Sequence, residues 1–185
     1  MNGQGEVEIR LATPEEAPLV HSVMLEAFAE YRNLPVPPGA LSERLEDVEG
    51  LLREGVEQAA LCFVDGVAVE SVRFLRSQGG LYFKRLAVRP GFQGRGLARA
   101  IVGWLEEHAR RNGEGVVWCN VRAEMPRNVR LYASLGYEAY DERVVARADG
   151  TRVPVVSMRK VVNAGVEARR TSTAGRAAAP SLEAG

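Results

Sequence analysis

A strand that breaks into a glycine-rich turn before a long helix constrains this chain most strongly. The β-rich run 81–88 stops at Pro90, and three glycines, Gly91, Gly94 and Gly96, precede an amphipathic helix. Backbone N–H groups converge at such a turn, and the positive end of the helix dipole favours negative charge there. The segment therefore predicts a local binding site for an anionic group such as a phosphate.

Composition limits the kinds of protein that this chain can be. Its 185 residues suffice for one domain, and 46% hydrophobic with 26% charged residues is typical of a globular protein. A formal net charge of zero predicts no general attraction to nucleic acid or to an anionic membrane. We find no apolar run of about 18 residues and no signal-peptide pattern, so we expect a cytoplasmic protein without a membrane span.

The cysteines and histidines predict no metal site. Cys62 and Cys119 both lie in apolar runs, which is typical of reduced thiols in the core of an intracellular protein. Together with two scattered histidines they do not form the spacing of a metal-binding motif.

The rest of the chain predicts hairpins interrupted by helices. Asp65-Gly66 between two β-type runs is a strong hairpin signal. Strands are expected at 6–11, 59–64, 67–75, 81–88, 116–121, 143–147 and 153–158. Helices are expected from a cap at Thr13 to about Tyr31, from a cap at Ser42 to about Gly55, from Leu97 to Gly113, and over 127–135.

This order of elements predicts an α/β fold of the α+β type. Because hairpins dominate, we expect a mixed, mostly antiparallel central sheet flanked by helices rather than a doubly wound parallel sheet. Residues 1–162 are expected to form a single domain. Residues 163–185 contain no aromatic residue and are rich in Ala, Gly, Arg, Ser, Thr and Glu, which predicts a disordered tail.

Three interpretations of the glycine turn compete. A P-loop requires Lys-Ser/Thr after its last glycine, whereas Leu97 and Ala98 follow Gly96 here. A dinucleotide fingerprint reads G-x-G-x-x-G after the first strand of a parallel unit, whereas this chain reads G-x-x-G-x-G in its middle. The third interpretation is a tight turn without a ligand.

A second segment favours a more specific assignment. Gln93–Ala98 matches the pattern Gln/Arg-x-x-Gly-x-Gly/Ala, and Asn128–Tyr137 resembles Asn-x-x-x-x-Tyr-x-x-x-Gly-Phe/Tyr, with three residues instead of four between Asn128 and Tyr132. In this order, behind the strand 81–88, the two motifs resemble the GCN5-related N-acetyltransferase (GNAT) family. The resemblance covers roughly residues 7–161, and it implies the GNAT acyl-CoA N-acyltransferase fold.

The resemblance implies acetyl-CoA as co-substrate, no metal, and two groups of cofactor-binding residues. The backbone of the glycine turn would hold the pyrophosphate, with side-chain donors beside it, and the end of the preceding strand would pair with the pantetheine arm and polarise the thioester. The sheet would splay after this strand. The implied cofactor-binding residues are Leu86, Ala87, Val88, Gln93, Gly94, Arg95, Gly96, Leu97, Ala98, Arg99 and Asn128.

The resemblance also implies one catalytic residue and leaves another unassigned. Tyr132 occupies the position of the acid that protonates the leaving thiolate. Many members carry a glutamate base where this chain has Tyr82, so Glu70 and Glu124 are the candidates that remain. Asn128 also has an alternative role, as the cap of the short helix after Pro126.

We therefore expect an N-acetyltransferase, in which a primary amine attacks the acetyl thioester directly within a ternary complex. The acceptor is expected to be a small-molecule amine or a peptide, and the enzyme a monomer or a homodimer. An acyl-CoA-sensing module without catalysis is the main alternative, and a nucleotide-binding protein is a weaker one.

Overall fold

The computed structural model describes residues 5–77 and 79–171, and within them seven strands and five α-helices. The strands are β1 (Val7–Leu11), β2 (Gln58–Val64), β3 (Val67–Ser77), β4 (Gly80–Val88), β5 (Val116–Arg122), β6 (Glu138–Ala146) and β7 (Arg152–Val161). The helices are α1 (Ala17–Phe28), α2 (Leu45–Arg53), α3 (Leu97–Arg111), α4 (Pro126–Ser134) and α5 (Ala164–Thr171). No helix in this part of the chain is long and apolar enough to cross a membrane.

The strands form one mixed sheet in the order β1-β2-β3-β4-β5-β7-β6. The pairs β1–β2, β2–β3, β5–β7 and β6–β7 are antiparallel. The pair β4–β5 is parallel and joins Leu81 to Val117 and Tyr82 to Trp118. The predicted fold class, a mostly antiparallel sheet flanked by helices, is therefore confirmed.

The chain divides into two compact units. The first comprises the residues up to Leu75 together with Arg85–Trp104, and the second comprises Arg76–Lys84 together with the residues from Leu105 onward. The first unit therefore holds the end of β4, the glycine turn and the start of α3. The second unit holds the start of β4, the end of α3 and the closing strands.

The core of the first unit lies between α1, α2 and the sheet. Alternating residues of β2 face the two helices, because one side of a pleated strand faces the core. The buried apolar residues of this cluster are Ala17, Val20, Val23, Met24, Ala27, Phe28, Ala40, Val48, Leu52, Ala59, Leu61, Ala68 and Ala87.

The first two predicted helices differ from the observed ones at their ends. The first begins as the 3-10 turn Pro14–Glu16, capped by the Glu16 carboxylate, which accepts a hydrogen bond from the Thr13 N–H at 2.8 Å. The predicted cap at Ser42 is wrong. The Ser42 hydroxyl donates to the Gly39 carbonyl at 3.0 Å within a separate 3-10 turn, and α2 begins at Leu45.

The closing part of the chain contains more regular structure than the sequence predicts. Strand β6 begins at Glu138 rather than Arg143, and its first five residues are exposed and mostly polar. They have no apolar alternation to reveal a strand, yet they pair with β7 along its length. Helix α5 lies in the segment predicted as a disordered tail, and residues 172–185 of that tail lie outside the described residues.

Candidate functional site

The glycine turn in the first unit has an open backbone. Gly91, Gly94 and Gly96 have φ angles of 88°, 74° and 77°, a left-handed conformation that side chains other than glycine rarely adopt. A Cβ added at any of the three would meet no described atom within 4 Å. The glycines therefore serve the backbone conformation and leave the space beside it open for a ligand.

The start of the turn is anchored to its neighbours by Arg89. Its backbone N–H donates to the Val69 carbonyl of β3 at 2.8 Å. Its guanidinium donates to the Ser22 hydroxyl at 3.2 Å and lies 3.3 Å from the Glu26 carboxylate, both on α1. The turn is thus positioned by contacts that the sequence motif does not contain.

The polar side chains of the turn are exposed beside the helix N-terminus. Gln93 donates to the Val88 carbonyl at 3.5 Å, which is a weak contact. Arg95 donates to a backbone carbonyl of the turn at 3.1 Å and its guanidinium lies 5.0 Å from the centre of the Phe92 ring. Arg99, on the first turn of α3, is exposed. Both arginines can donate charge-assisted hydrogen bonds to a phosphate.

The last residues of β4 alternate between the core and a partly exposed position. Ala87 is buried in the helix-facing core of the first unit, while Leu86 and Val88 are half-buried. Leu97 closes the other end of the turn, where its buried side chain fixes the start of α3.

An ion-pair network that the sequence did not predict lies just before these residues. Arg85 has a φ of 57°, a left-handed conformation that is uncommon for a residue other than glycine. Its buried guanidinium lies 3.4 Å from the Glu43 carboxylate, which also accepts from Arg73 at 2.6 Å. Arg73 pairs in turn with Glu57 at 2.6 Å. Two cations and two anions therefore neutralise one another beside the one β4 residue, Arg85, that has a left-handed backbone conformation.

The two arginines of the network stabilise the ionised form of its central carboxylate, Glu43. Burial alone would raise the pKa of Glu43, but the nearby Arg85 and Arg73 guanidinium groups outweigh it and lower the pKa below its usual range. Glu43 and Arg85 are 42 residues apart in the chain, so no local pattern reveals their contact.

Tyr82, which stands at the position of the family's base, and Glu70, one of the two candidates for the base, are both buried. Tyr82 is 0% exposed, and its ring packs against Trp118 with the ring centres 4.4 Å apart, so it fills core space. Glu70 on β3 is also 0% exposed, and neither of its carboxyl oxygens has a hydrogen-bond partner among the described residues. Burial raises the pKa of Glu70 to about 8.

Glu124, in the second unit, differs from Glu70 in both respects. Its side chain is 51% exposed, and its carboxylate accepts a hydrogen bond from the buried Arg122 guanidinium. The structure thus provides one carboxyl that is sealed from solvent and one that is already paired.

An aromatic cluster in the second unit positions Tyr132 on α4. The Tyr132 ring centre lies 5.5 Å from that of Phe83 and 6.1 Å from that of Tyr137, both in edge-to-face geometry. Phe83 and Tyr137 contact each other at 6.0 Å, so the three rings form a triangle. Such packing restricts the ring of Tyr132 to one orientation.

The two ends of α4 show how the Asn128–Tyr137 motif folds. The helix begins at Pro126 with Met125 as its cap, so the alternative role of Asn128 as the cap is wrong. Asn128 is half-buried, and its amide lies 3.7 Å from the Met125 sulfur. Gly136, with a φ of 90°, ends the helix.

Both cysteines are buried and free, as the sequence predicts. Burial raises the pKa of the Cys62 thiol to about 12 and raises that of Cys119 as well. A thiol that stays protonated is a poor nucleophile, which argues against covalent catalysis by either residue. In the described ranges no three His, Cys, Asp or Glu side chains form a metal-binding group.

The predicted site residues therefore fall into two groups. The first unit brings together the end of β4, the glycine turn and the first turn of α3. The second unit carries Asn128 and Tyr132 one turn apart on α4.

The sequence profile of the acetyltransferase (GNAT) family matches residues 23–137, which is more than half of the chain. The chain is therefore an acyltransferase by class. It belongs to the GNAT acetyltransferase family and uses acetyl-CoA as its co-substrate. Comparison with curated proteins finds no match.

Solved structures share the fold at low sequence identity. The ribosomal-protein-S18-alanine N-acetyltransferase from Escherichia coli is 19% identical with a TM-score of 0.68, and the match covers 85% of this chain and 95% of that one. A chimera of the Vibrio cholerae spermidine N-acetyltransferase SpeG and hSSAT is 16% identical with a TM-score of 0.68, covering 84% and 95%. The Salmonella typhimurium protein yncA, solved with its cofactor acetyl-CoA, is 21% identical with a TM-score of 0.63, covering 85% and 95%.

Proposed function

We propose that this enzyme transfers the acetyl group of acetyl-CoA to a primary amine by direct attack within a ternary complex. The observation that carries the proposal is the open glycine turn between β4 and α3, which lies inside the matched family region. Its backbone donors and helix N-terminus suit a pyrophosphate rather than a neutral ligand.

The cofactor is held by residues of the turn and of the strand before it. Gly94, Gly96 and Ala98 allow the backbone to approach the pyrophosphate, while the exposed guanidinium groups of Arg95 and Arg99 donate to its phosphates. Gln93 adds a neutral donor once it leaves its weak contact with β4.

The end of β4 binds the pantetheine arm and the thioester. Leu86, Ala87 and Val88 provide backbone donors and acceptors for the amides of the arm, in the manner of an added strand. One N–H of this segment polarises the thioester carbonyl, which stabilises the negative charge that develops on its oxygen during attack. Asn128 contributes an amide contact to the same arm.

Tyr132 donates a proton to the thiolate of coenzyme A as it leaves. A phenol has a pKa near ~10 and a thiol near ~8.5, so a tyrosine is protonated at neutral pH, can pass its proton to the sulfur as the C–S bond breaks, and regains a proton from solvent afterwards. The restricted ring orientation of Tyr132 supports this role, because a general acid must be held in place before the bond breaks.

Water, rather than a protein carboxylate, removes the proton from the amine in our proposal. Of the two candidates, Glu124 is already paired with Arg122 and Glu70 is sealed from solvent. A primary alkyl amine has a pKa near ~10.4, so only about one molecule in ~10³ is neutral at pH 7. The rate at low acceptor concentration should therefore rise with pH toward the pKa of the acceptor itself.

The acceptor is a small-molecule amine or a peptide. The names of structurally similar proteins include both kinds, a polyamine and the alanine of a ribosomal protein. A panel that tests the acceptor should therefore contain polyamines, amino acids, aminoglycosides and peptides with free N-termini.

We expect acetyl-CoA-dependent release of free thiol with at least one amine of this panel. The measurement is continuous thiol detection, with mass spectrometry of the acceptor to find the added acetyl group. Omission of the amine is the control for hydrolysis of the thioester. Stoichiometric acetyl-CoA binding without thiol release across the panel would instead support the sensing module.

A cytoplasmic location and a monomeric or homodimeric state stay predictions of the sequence. Sedimentation of the purified protein would measure the second.

A further inference from the structure

Among the described residues of the first unit, Glu70 is a buried carboxyl that belongs neither to the ion-pair network nor to the proposed chemistry. It is 0% exposed on β3 and stands opposite Cys62 of β2. Neither carboxyl oxygen has a hydrogen-bond partner within the described chain, although a buried polar group without a partner is costly. A buried polar group that keeps no partner calls for an explanation, and a functional role is one.

The contacts of β3 place Glu70 beside the glycine turn. Its neighbour Val69 accepts the hydrogen bond from the Arg89 N–H, where the turn begins. Phe74 shares the face of Glu70, because residues four apart on a strand point to the same side, and its ring packs against Trp104 of α3 with centres 6.2 Å apart. The face that carries Glu70 is therefore the face covered by α3.

Distances along the two elements agree with this placement. Glu70 lies four residues before Phe74, roughly 13 Å along the strand. The first residue of α3, Leu97, lies seven residues before Trp104, about 10 Å along the helix. Leu97 and Trp104 also share one face of α3. The carboxyl of Glu70 thus lies toward the first turn of α3, which begins where the anion-binding backbone ends.

Few other charged or titratable groups face Glu70 from the packed elements. On β2 there is the Cys62 thiol, which stays neutral because burial raises its pKa to about 12. The turn and the start of α3 carry the guanidinium groups of Arg89, Arg95 and Arg99. Arg89 is paired with Glu26 of α1.

We propose that the buried Glu70 carboxyl lies next to the phosphate-binding turn on its inner side, and that acetyl-CoA binds tightly only while this carboxyl keeps its proton. The phosphates bring negative charge to the open side of the turn. A carboxylate on the inner side would repel them through a medium of low dielectric constant, whereas the neutral acid would not. This inference rests on the proposed function of the turn.

Binding and protonation are then linked in both directions. The free protein loses the Glu70 proton around pH 8, since burial raises its pKa to about 8. Because the bound phosphates disfavour the carboxylate, acetyl-CoA raises the pKa of Glu70 further and the complex takes up a proton. The affinity is therefore highest below pH 8 and falls as the pH rises above it.

We expect acetyl-CoA to bind about tenfold more weakly at pH 9 than at pH 7, as measured by calorimetry on the full chain. The ligand itself adds no titration here, because its thiol is acylated and a phosphate monoester titrates near pH 6. Glu70→Gln should bind equally well at both pH values. Glu15→Gln removes an exposed carboxylate of the same unit and should keep the tenfold change.

A second measurement needs no variant. Calorimetry of the unaltered protein at pH 8, in buffers of different ionisation enthalpy, should show uptake of about half a proton per acetyl-CoA bound. Affinity independent of pH, no proton uptake, or an unchanged pH dependence in a folded Glu70→Gln protein would each overturn the proposal. These outcomes leave the proposed function intact, whereas a failure to bind acetyl-CoA at any pH would contradict that function.

Discussion

Gly96→Glu should weaken acetyl-CoA binding by at least ~100-fold. Two effects add. The variant forces a side chain into a left-handed conformation at φ 77°, and it places a carboxylate in the open space that we assign to the phosphates. The lost hydrogen bonds to the phosphates are charge-assisted, and the new carboxylate repels the phosphates, so each effect weakens binding by more than the loss of a neutral contact would. Calorimetric titration with acetyl-CoA at pH 7 measures the result.

Gly113→Glu is the matched control. Gly113 ends α3 with a φ of 74°, is exposed, and a Cβ there would also meet no described atom within 4 Å. Both variants should therefore lose a similar amount of thermal stability, but only Gly96→Glu should lose affinity. Gly96→Lys separates charge from conformation and should bind more tightly than Gly96→Glu. Equal affinity of Gly96→Glu and the unaltered protein would show that the phosphates bind elsewhere.

Tyr132→Phe should lower kcat on the order of 10²-fold, which is typical for loss of a general acid. The affinity for acetyl-CoA should change less than twofold, because the ring and its edge-to-face contacts with Phe83 and Tyr137 are kept. Steady-state kinetics from pH 6 to pH 9 with the best amine of the panel, together with calorimetric titration, separate the two parameters.

Tyr137→Phe serves as the control for this experiment. Tyr137 belongs to the same aromatic triangle, and the family motif accepts Phe at its position, so its hydroxyl has no role in the proposed reaction. We expect kcat to stay within about twofold of the unaltered enzyme. If Tyr132→Phe also kept its kcat across the whole pH range, another donor would have to protonate the thiolate.

Short sequence patterns predicted the order of strands and helices, because the residues that specify a turn or a helix lie close together in the chain. Asp65-Gly66 marks the β2–β3 hairpin, and both residues have positive φ angles in the structure. The glycine turn and α4 were predicted from motifs of ten residues or fewer. Such signals arise from backbone conformation and helix periodicity, which a short window of sequence contains.

Contacts between distant residues could not be predicted in this way. The anchoring of Arg89 by Ser22 and Glu26 spans more than 60 residues, and a charged residue in isolation is normally taken as solvated surface. The start of β6 was missed for a different reason. Its exposed residues have no buried face, so only pairing with β7 makes them a strand.

The general base could not be assigned from the sequence for a third reason. Whether a carboxyl can accept a proton depends on how deeply it is buried and on its partners, which the sequence does not show. Glu70 and Glu124 are the same residue type in sequence, yet one is fully buried with a raised pKa and the other is exposed and paired. Periodicity showed that β3 is a strand but did not show how deeply Glu70 lies beneath α3.

The network of Glu43, Glu57, Arg73 and Arg85 also restricts how this sequence can evolve. Each of the four side chains neutralises an oppositely charged partner that is largely buried, so substitution of one of them leaves its partner's charge unpaired in the interior. Viable descendants must therefore change these positions in pairs or exchange the whole set for apolar side chains. A redesign of the end of β4 should therefore change the four positions together.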